Sequence, residues 1–112
     1  MEYNQNELRN ELLILNGLAD EDLLAKLIPE EERHSPYANM ERAKNILYQC
    51  ISRVKENLIE VYNKHRHVAN FSVDFALYLI PVLASNSTIP THLIPVLAIL
   101  IMRHGAEFLS EQ

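Results

Sequence analysis

The sequence predicts an all-α fold, a single compact bundle of five or six helices in which residues 1–112 form one helical domain. Apolar residues recur at intervals of three or four along most of the chain, which is the spacing of amphipathic helices. The chain has only two glycines, whereas the tight turns of a sheet commonly require glycine. Its 112 residues suit one domain, because two independent cores of half that size would each be marginally stable.

The first third of the chain predicts two short helices. The first covers residues 5–15, and Asn16 and Gly17 predict a left-handed stop after it. The second begins at Asp20, a residue type favoured at N-caps, and ends before Pro29, because the residue preceding a proline is pushed out of the helical region. The buried positions of these two helices are predicted to be Leu8, Leu12, Leu15, Leu23, Leu24, Leu27 and Ile28.

The bundle is predicted to form around one long helix from Pro36 to Lys64. Ser35 is a favoured N-cap residue, and Pro36 suits the first helical position, where its missing N–H forfeits no hydrogen bond. No further glycine or proline occurs until Pro81. At ~1.5 Å per residue this helix is about 40 Å long. Its apolar stripe comprises Met40, Ala43, Leu47, Cys50, Val54, Leu58, Val61 and His65.

The carboxy-terminal apolar sequence lies in residues 71–102 and predicts a pair of packed helices. The hexapeptide Leu-Ile-Pro-Val-Leu-Ala occurs twice in it, at residues 79–84 and 93–98. The flanks of the two copies are dissimilar, whereas solenoid repeats need several copies of a unit of about 20 residues or more. The repetition therefore reflects apolar composition, and each copy indicates a helix with a proline near one end.

Prolines and a glycine set the expected bounds of this helix pair. Pro81 is expected to kink or end the fourth helix, because it removes one backbone hydrogen bond and clashes with the preceding turn. The fifth helix is expected to begin at residues 91–93 and to close with Gly105 as its C′ residue. Residues 106–112 either continue that helix or form a short docked tail.

The charge of the chain disfavours nucleic acid as a partner. The formal net charge is −5, whereas general nucleic-acid binders neutralise phosphates with a basic face. Residues 1–34 carry three Lys/Arg and nine Asp/Glu, residues 35–67 carry six and three, and residues 68–112 carry one and three. The middle of the chain is therefore basic between two acidic ends.

Cysteine usage and hydropathy predict a cytoplasmic protein. Cys50 is the only cysteine and cannot form an intramolecular disulfide, and the amino terminus lacks the basic, apolar, small-residue order of a secretion signal. Neither apolar run reaches the ~18 to 20 uninterrupted residues that a membrane-spanning helix needs. We therefore expect a cytoplasmic location, and the sequence disfavours a membrane partner.

No residue pattern indicates an active site, a metal or a cofactor. His65 and His67 are two residues apart, which places them on opposite sides of a helix, and no Cys-x-x-Cys or His-Glu-x-x-His pattern accompanies them. Cys50 falls on the apolar stripe, where a thiol behaves as a small hydrophobe. The chain contains no glycine-rich phosphate loop and no Gly-x-Ser-x-Gly elbow. We therefore expect a protein without catalytic residues, metal or cofactor.

Basic residues on the long helix form a candidate electrostatic stripe. Arg42, Arg53 and Lys64 are spaced eleven residues apart, which returns to nearly the same azimuth on a regular helix, and Arg66 extends the stripe. The stripe could bind an acidic partner or the acidic first two helices of the same chain. The intramolecular alternative is favoured, because those helices are close in sequence and opposite in sign.

The fifth helix carries the sharpest signal, because residues 93–102 are apolar on every side and must be buried on every side. Three alternatives follow: a fully enclosed central helix, a helix with one face in a homodimer or partner interface, and membrane insertion of the helix pair. The candidate interface residues are Leu93, Val96, Leu97, Leu100 and Ile101.

These observations favour a non-enzymatic protein-interaction or regulatory module that self-associates or docks to a partner protein through apolar helical surface. Small helical folds of this kind include adaptor modules, an association from architecture alone. One alternative is a small membrane-active protein that inserts residues 71–102 as a helical hairpin. A second alternative is a ligand-binding or enzymatic helical protein that uses Tyr62, His65, His67 and the basic stripe.

Overall fold

The computed structural model describes residues 5–32, 36–64 and 73–110, and all regular structure in these residues is helical. This confirms the all-α fold and the five helices. In chain order these are α1 (Gln5–Asn16), α2 (Asp20–Ala25), α3 (Pro36–Lys64), α4 (Val73–Ala84) and α5 (Ile94–Ser110), with 3₁₀ turns at Glu30–Glu32 and Thr91–Leu93.

Helix α5 lies at the centre of the bundle, where it contacts each of the helices α1 to α4. All ten residues from Leu93 to Met102 are buried, and apart from Pro95 each is at most 7% exposed. They belong to one continuous apolar core that also takes residues from every other helix. Of the three alternatives for this segment, the structure has the enclosed central helix. The long helix α3 contributes one face and packs against α2, α4 and α5.

The corner between α1 and α2 closes with i to i−3 hydrogen bonds rather than with the predicted left-handed residue. Helix α1 ends at Asn16, one residue past the predicted bound, and the predicted left-handed stop is wrong, because Gly17 does not adopt a left-handed φ. Its N–H donates to the Ile14 carbonyl at 3.1 Å, and the Leu18 N–H donates to the Leu15 carbonyl at 3.0 Å. These i to i−3 hydrogen bonds satisfy the last carbonyls, so the helix closes without a positive φ.

The prediction that Asp20 caps α2 is wrong. The N-cap residue is Ala19, which makes no side-chain capping hydrogen bond, and Asp20 is the first helical residue. The regular helix ends at Ala25, and i to i−3 hydrogen bonds continue the turn through Ile28, one residue before Pro29. The four apolar positions predicted for this segment are all buried.

Helix α3 has the predicted bounds, Pro36 and Lys64, but it is not straight. Val54 has non-helical backbone angles, φ −120° and ψ 16°, and marks a kink. No glycine or proline, the commonest local causes of a kink, lies near it. Val54 itself is buried, and both halves of α3 contribute buried residues to the core, Leu47 before the kink and Leu58 after it. The N-cap residue expected for α3, Ser35, lies outside the described residues.

Helix α4 does not end at Pro81 but continues to Ala84. The prediction that Gly105 is the C′ residue of α5 is wrong, because the helix continues to Ser110, as in the first of the two alternatives for residues 106–112. Pro81 is exposed, so its ring projects from the bundle while Leu83, two residues on, is fully buried. Tertiary burial thus outweighs the one hydrogen bond that proline removes. Glycine inside a helix costs only ~1 kcal/mol, and the residues after Gly105 include good helix formers.

Tyr62 links α3 to the centre of the bundle. Its hydroxyl donates to the backbone carbonyl of Ile101 at 2.9 Å. Its ring lies 5.0 Å from the ring of Phe75, centroid to centroid, at an interplanar angle of 59°. The half-buried phenol therefore finds a hydrogen-bond acceptor, as a buried tyrosine usually requires.

Candidate functional site

A half-buried cluster of polar side chains joins the corner between α1 and α2 to α5. The Asp20 carboxylate accepts a hydrogen bond from Arg103 Nη1 at 2.8 Å, and its other oxygen lies 2.7 Å from His104 Nε2. Arg103 Nη2 also donates to the backbone carbonyl of Asn16 at 2.7 Å. Asp20 and Arg103 are 83 positions apart in the chain, so the cluster is a tertiary link.

Opposing effects set the pKa of the Asp20 carboxyl. Partial burial disfavours the charged form and raises the pKa, but the hydrogen bonds and charges of Arg103 and His104 favour the carboxylate and outweigh burial. The pKa therefore lies below its ordinary value of 3.8. Asp20 is ionised at neutral pH and accepts hydrogen bonds only, so Nε2 is the protonated nitrogen of His104.

A groove of about 430 Å³ lies between α2, α3 and α5, and Asp20 and His104 border it. Its buried apolar lining includes Leu24, Leu47 and Leu100. Both oxygens of Asp20 are already engaged by α5, and Arg103 is engaged twice. The cluster therefore holds α5 against the corner between α1 and α2.

The five candidate interface residues are core residues in this conformation. The exposed fraction is 7% for Leu93, 6% for Val96, 1% for Leu100 and zero for Leu97 and Ile101. A partner can reach so little of their surface that they cannot form an interface without opening the bundle. Four helices cover α5, because each contributes its own apolar face to it.

The kink at Val54 falls within the basic stripe, between Arg53 and Lys64. Arg42 forms an ion pair with Glu32 at 2.8 Å, in the 3₁₀ turn rather than in the acidic helices α1 or α2. Arg53 lies at the middle of α3, Lys64 lies beyond the kink, and Arg66 is outside the described residues. The spacing of eleven residues assumes a regular helix, which the kink at Val54 interrupts. An exposed arginine of α1, Arg9, pairs instead with Asp74 of α4.

Residues with metal-binding or nucleophilic side chains are dispersed. Among the described residues, no three His, Cys, Asp or Glu side chains are grouped so that they could hold a metal ion. His34, His65 and His67 lie outside those residues. Cys50 is buried, and burial raises the pKa of its thiol although the charge of Arg53 opposes the rise. A thiol in this setting is a poor nucleophile at neutral pH.

The sequence-based interpretation missed an exposed apolar pair on α1. Leu13 is 50% exposed and Ile14 is 72% exposed. The signal was the run of four apolar residues 12–15, which cannot share one face because successive residues are about 100° apart around a helix. Since Leu12 and Leu15 are buried, the other two must point away from the core. We call Asn10, Leu13 and Ile14 the α1 outer face, since all three side chains are exposed.

No helix within residues 5–32, 36–64 and 73–110 combines the length and the hydrophobicity that crossing a membrane requires. Insertion of the apolar helix pair would also require the core around residues 93–102 to open. Comparison of the chain with protein-family models, with curated proteins and with solved structures found no match.

Proposed function

We propose that this chain is a non-enzymatic protein-interaction or regulatory module that self-associates or docks to a partner protein through the α1 outer face. The observation that carries the proposal is the exposure of Leu13 and Ile14 on a helix whose other side is fully used by the core. Neither side chain is needed to complete the bundle, so their apolar surface is available to another chain.

The energetics of this face suit a modest association. Full burial of a leucine or isoleucine contributes about 1.5–3 kcal/mol, so the exposed fractions of Leu13 and Ile14 correspond to about 1–2 kcal/mol each. Together they contribute about 2–4 kcal/mol, and 1.4 kcal/mol is a tenfold change in dissociation constant. The pair can therefore raise affinity by about two orders of magnitude, and polar neighbours such as Asn10 would form the rim of the contact.

Sedimentation velocity of the purified chain, from micromolar to submillimolar concentration, tests the proposal through self-association. We expect a concentration-dependent shift toward a dimer. The double variant Leu13→Gln/Ile14→Gln should remain monomeric over the same range, because glutamine keeps helix propensity and side-chain length but removes the apolar contact.

Ile59→Gln is the matched control, because Ile59 is an exposed isoleucine on α3, outside the α1 outer face. It should associate like the unmodified chain. A strict monomer at every concentration would remove the support for self-association. Equal association of the double variant and the unmodified chain would show that the α1 outer face is not the contact.

A further inference from the structure

A second groove, of about 570 Å³, lies on a different part of the surface from the α1 outer face. It is bordered by the end of the α2 segment, the middle of α3 and the 3₁₀ turn before α5. Ligand pockets in proteins are usually about 300–1,000 Å³, so the groove is large enough for a small molecule. We call it the basic groove, after three side chains on its rim, Lys26, Arg53 and His92.

The rim and the floor of the basic groove differ in chemistry. Lys26, Arg53 and His92 are exposed and come from three separate segments, and Glu31 is the one carboxylate among the described residues that line the groove. The floor is aliphatic, since the buried lining residues are Leu27, Ile28, Cys50 and Leu93. No described Phe, Tyr or Trp side chain lines it, so that part of the chain offers a flat aromatic ligand no stacking partner.

The arginine of this rim differs from the other arginines that the structure describes. Arg9, Arg42 and Arg103 each form an ion pair with a carboxylate. Within the described part of the chain, Arg53 has no hydrogen bond or ion pair. Its guanidinium is therefore available for an anion, which it can bind through two parallel N–H groups.

We propose that the basic groove binds an amphipathic anion, a carboxylate or phosphate head joined to an aliphatic tail. The head is held by Arg53 and Lys26, and the tail lies over Ile28, Cys50 and Leu93. Among the described residues that line the groove, Lys26, Arg53 and Glu31 sum to a net charge of +1, with His92 counted as neutral, and this charge favours an anion over a cation. The apolar floor selects a ligand with a tail over a bare anion. This site is independent of the α1 outer face.

Titration calorimetry of the full chain with a set of ligands of matched length tests the proposal. Octyl phosphate and octanoate should both bind. Octyltrimethylammonium, octanol and inorganic phosphate should each bind at least about tenfold more weakly, because each lacks either the anionic head or the tail. If octanol bound with the same affinity as octyl phosphate, the proposed role of charge would be overturned. If inorganic phosphate bound with that affinity, the proposed role of the apolar floor would be overturned.

Two arginine variants on the same helix assign the head to the basic groove. Arg53→Gln should weaken octyl phosphate binding about tenfold, since a charge-assisted contact is lost. Arg42→Gln removes an equal charge eleven residues away, outside the groove, and should change affinity less than about twofold. Both positions are exposed, so both variants should fold, which far-ultraviolet circular dichroism will check. Equal affinities of the two variants would overturn the proposal, as would no binding of octyl phosphate at millimolar concentration.

Cys50 gives an independent readout, because it is the only cysteine of the chain and lies in the floor of the groove. Because Cys50 is buried and its pKa is raised, its reaction with a maleimide is slow in the unmodified chain. Octyl phosphate should slow this reaction further, and inorganic phosphate should not. Slowing by octyl phosphate that persists undiminished in Arg53→Gln would place the ligand elsewhere and count against the proposal.

Discussion

Replacement of Leu97 by alanine tests whether α5 is a core helix or an interface helix, two alternatives that the sequence alone does not distinguish. Leu97 is fully buried near the middle of the apolar segment of α5, in the helix that contacts all four others. The substitution removes three buried carbon atoms and keeps helix propensity high, so its effect on stability reports on packing.

The expected loss follows from the enclosure of the side chain. Leucine-to-alanine changes at fully buried sites cost about 2–5 kcal/mol, and we expect at least about 3 kcal/mol here. A domain of this size is stable by about 5–15 kcal/mol, so the variant should still fold. With a urea m-value of about 1.5 kcal/mol per molar, the unfolding midpoint should fall by about 2 M.

Urea unfolding followed by far-ultraviolet circular dichroism measures this loss, and Ile14→Ala on the exposed side of α1 is the control. Because Ile14 is 72% exposed, its midpoint should move by less than about 0.5 M. The enclosure of α5 would be refuted if Leu97→Ala left the midpoint within about 0.5 M of the unmodified chain. A change in sedimentation without a loss of stability would instead place Leu97 in an interface.

Two further substitutions test individual contacts of the bundle. Asp20→Asn should lower stability at neutral pH by about 0.5–1 kcal/mol, a small value because the carboxylate is partly exposed. Since the folded-state pKa of Asp20 is lowered, its contribution is full above its ordinary value of 3.8 and is lost as the pH falls through the folded-state value. The difference in urea midpoint between the unmodified chain and Asp20→Asn should therefore become smaller as the pH falls toward 3. The control Asp22→Asn, at an exposed position, should show a smaller difference in midpoint at pH 7. A midpoint difference for Asp20→Asn that grows with acid would contradict this reasoning. Tyr62→Phe should cost about 1 kcal/mol, because it removes the hydrogen bond to Ile101 but keeps the ring contact with Phe75; a Tyr62→Phe variant as stable as the unmodified chain would show that this bond contributes nothing.

The elements that the sequence predicts well are those governed by local rules. Pro36 and Lys64 bound α3 as expected, because a proline suits the first turn and no breaker interrupts the following residues. The apolar positions of α1 and α2 are buried as their spacing indicates. Helical periodicity depends only on residues close in sequence, so it can be recognised without knowledge of the rest of the fold.

The features that the sequence did not predict depend on contacts between distant residues. Aspartate is a residue type favoured at helix N-caps, yet the Asp20 carboxylate binds Arg103 and His104. Nothing in the neighbouring sequence distinguishes a capping aspartate from one that makes tertiary contacts. Pro81 would break an isolated helix, but burial of the next turn overrides it. The kink at Val54 could not be predicted from a glycine or proline either, because none lies near it.

The candidate sites also differ in whether the sequence alone can predict them. The apolar character of residues 93–102 is evident from sequence, but whether four helices cover them is a question of tertiary packing. The exposed pair on α1 could have been found, because four consecutive apolar residues cannot all face one core. The basic groove could not, since its rim comes from residues 26, 53 and 92.

The central position of α5 has a consequence for the order in which the chain can fold. Helices α1 to α4 leave the ribosome first and make some contacts with one another, yet each of them also packs on α5, which is made after them. The contact between Asn16 and Arg103 closes a loop of 87 residues, so it cannot help to hold the early helices together. We expect the nascent chain to expose apolar surface until residues 93–102 have emerged, and to complete its core only after that point.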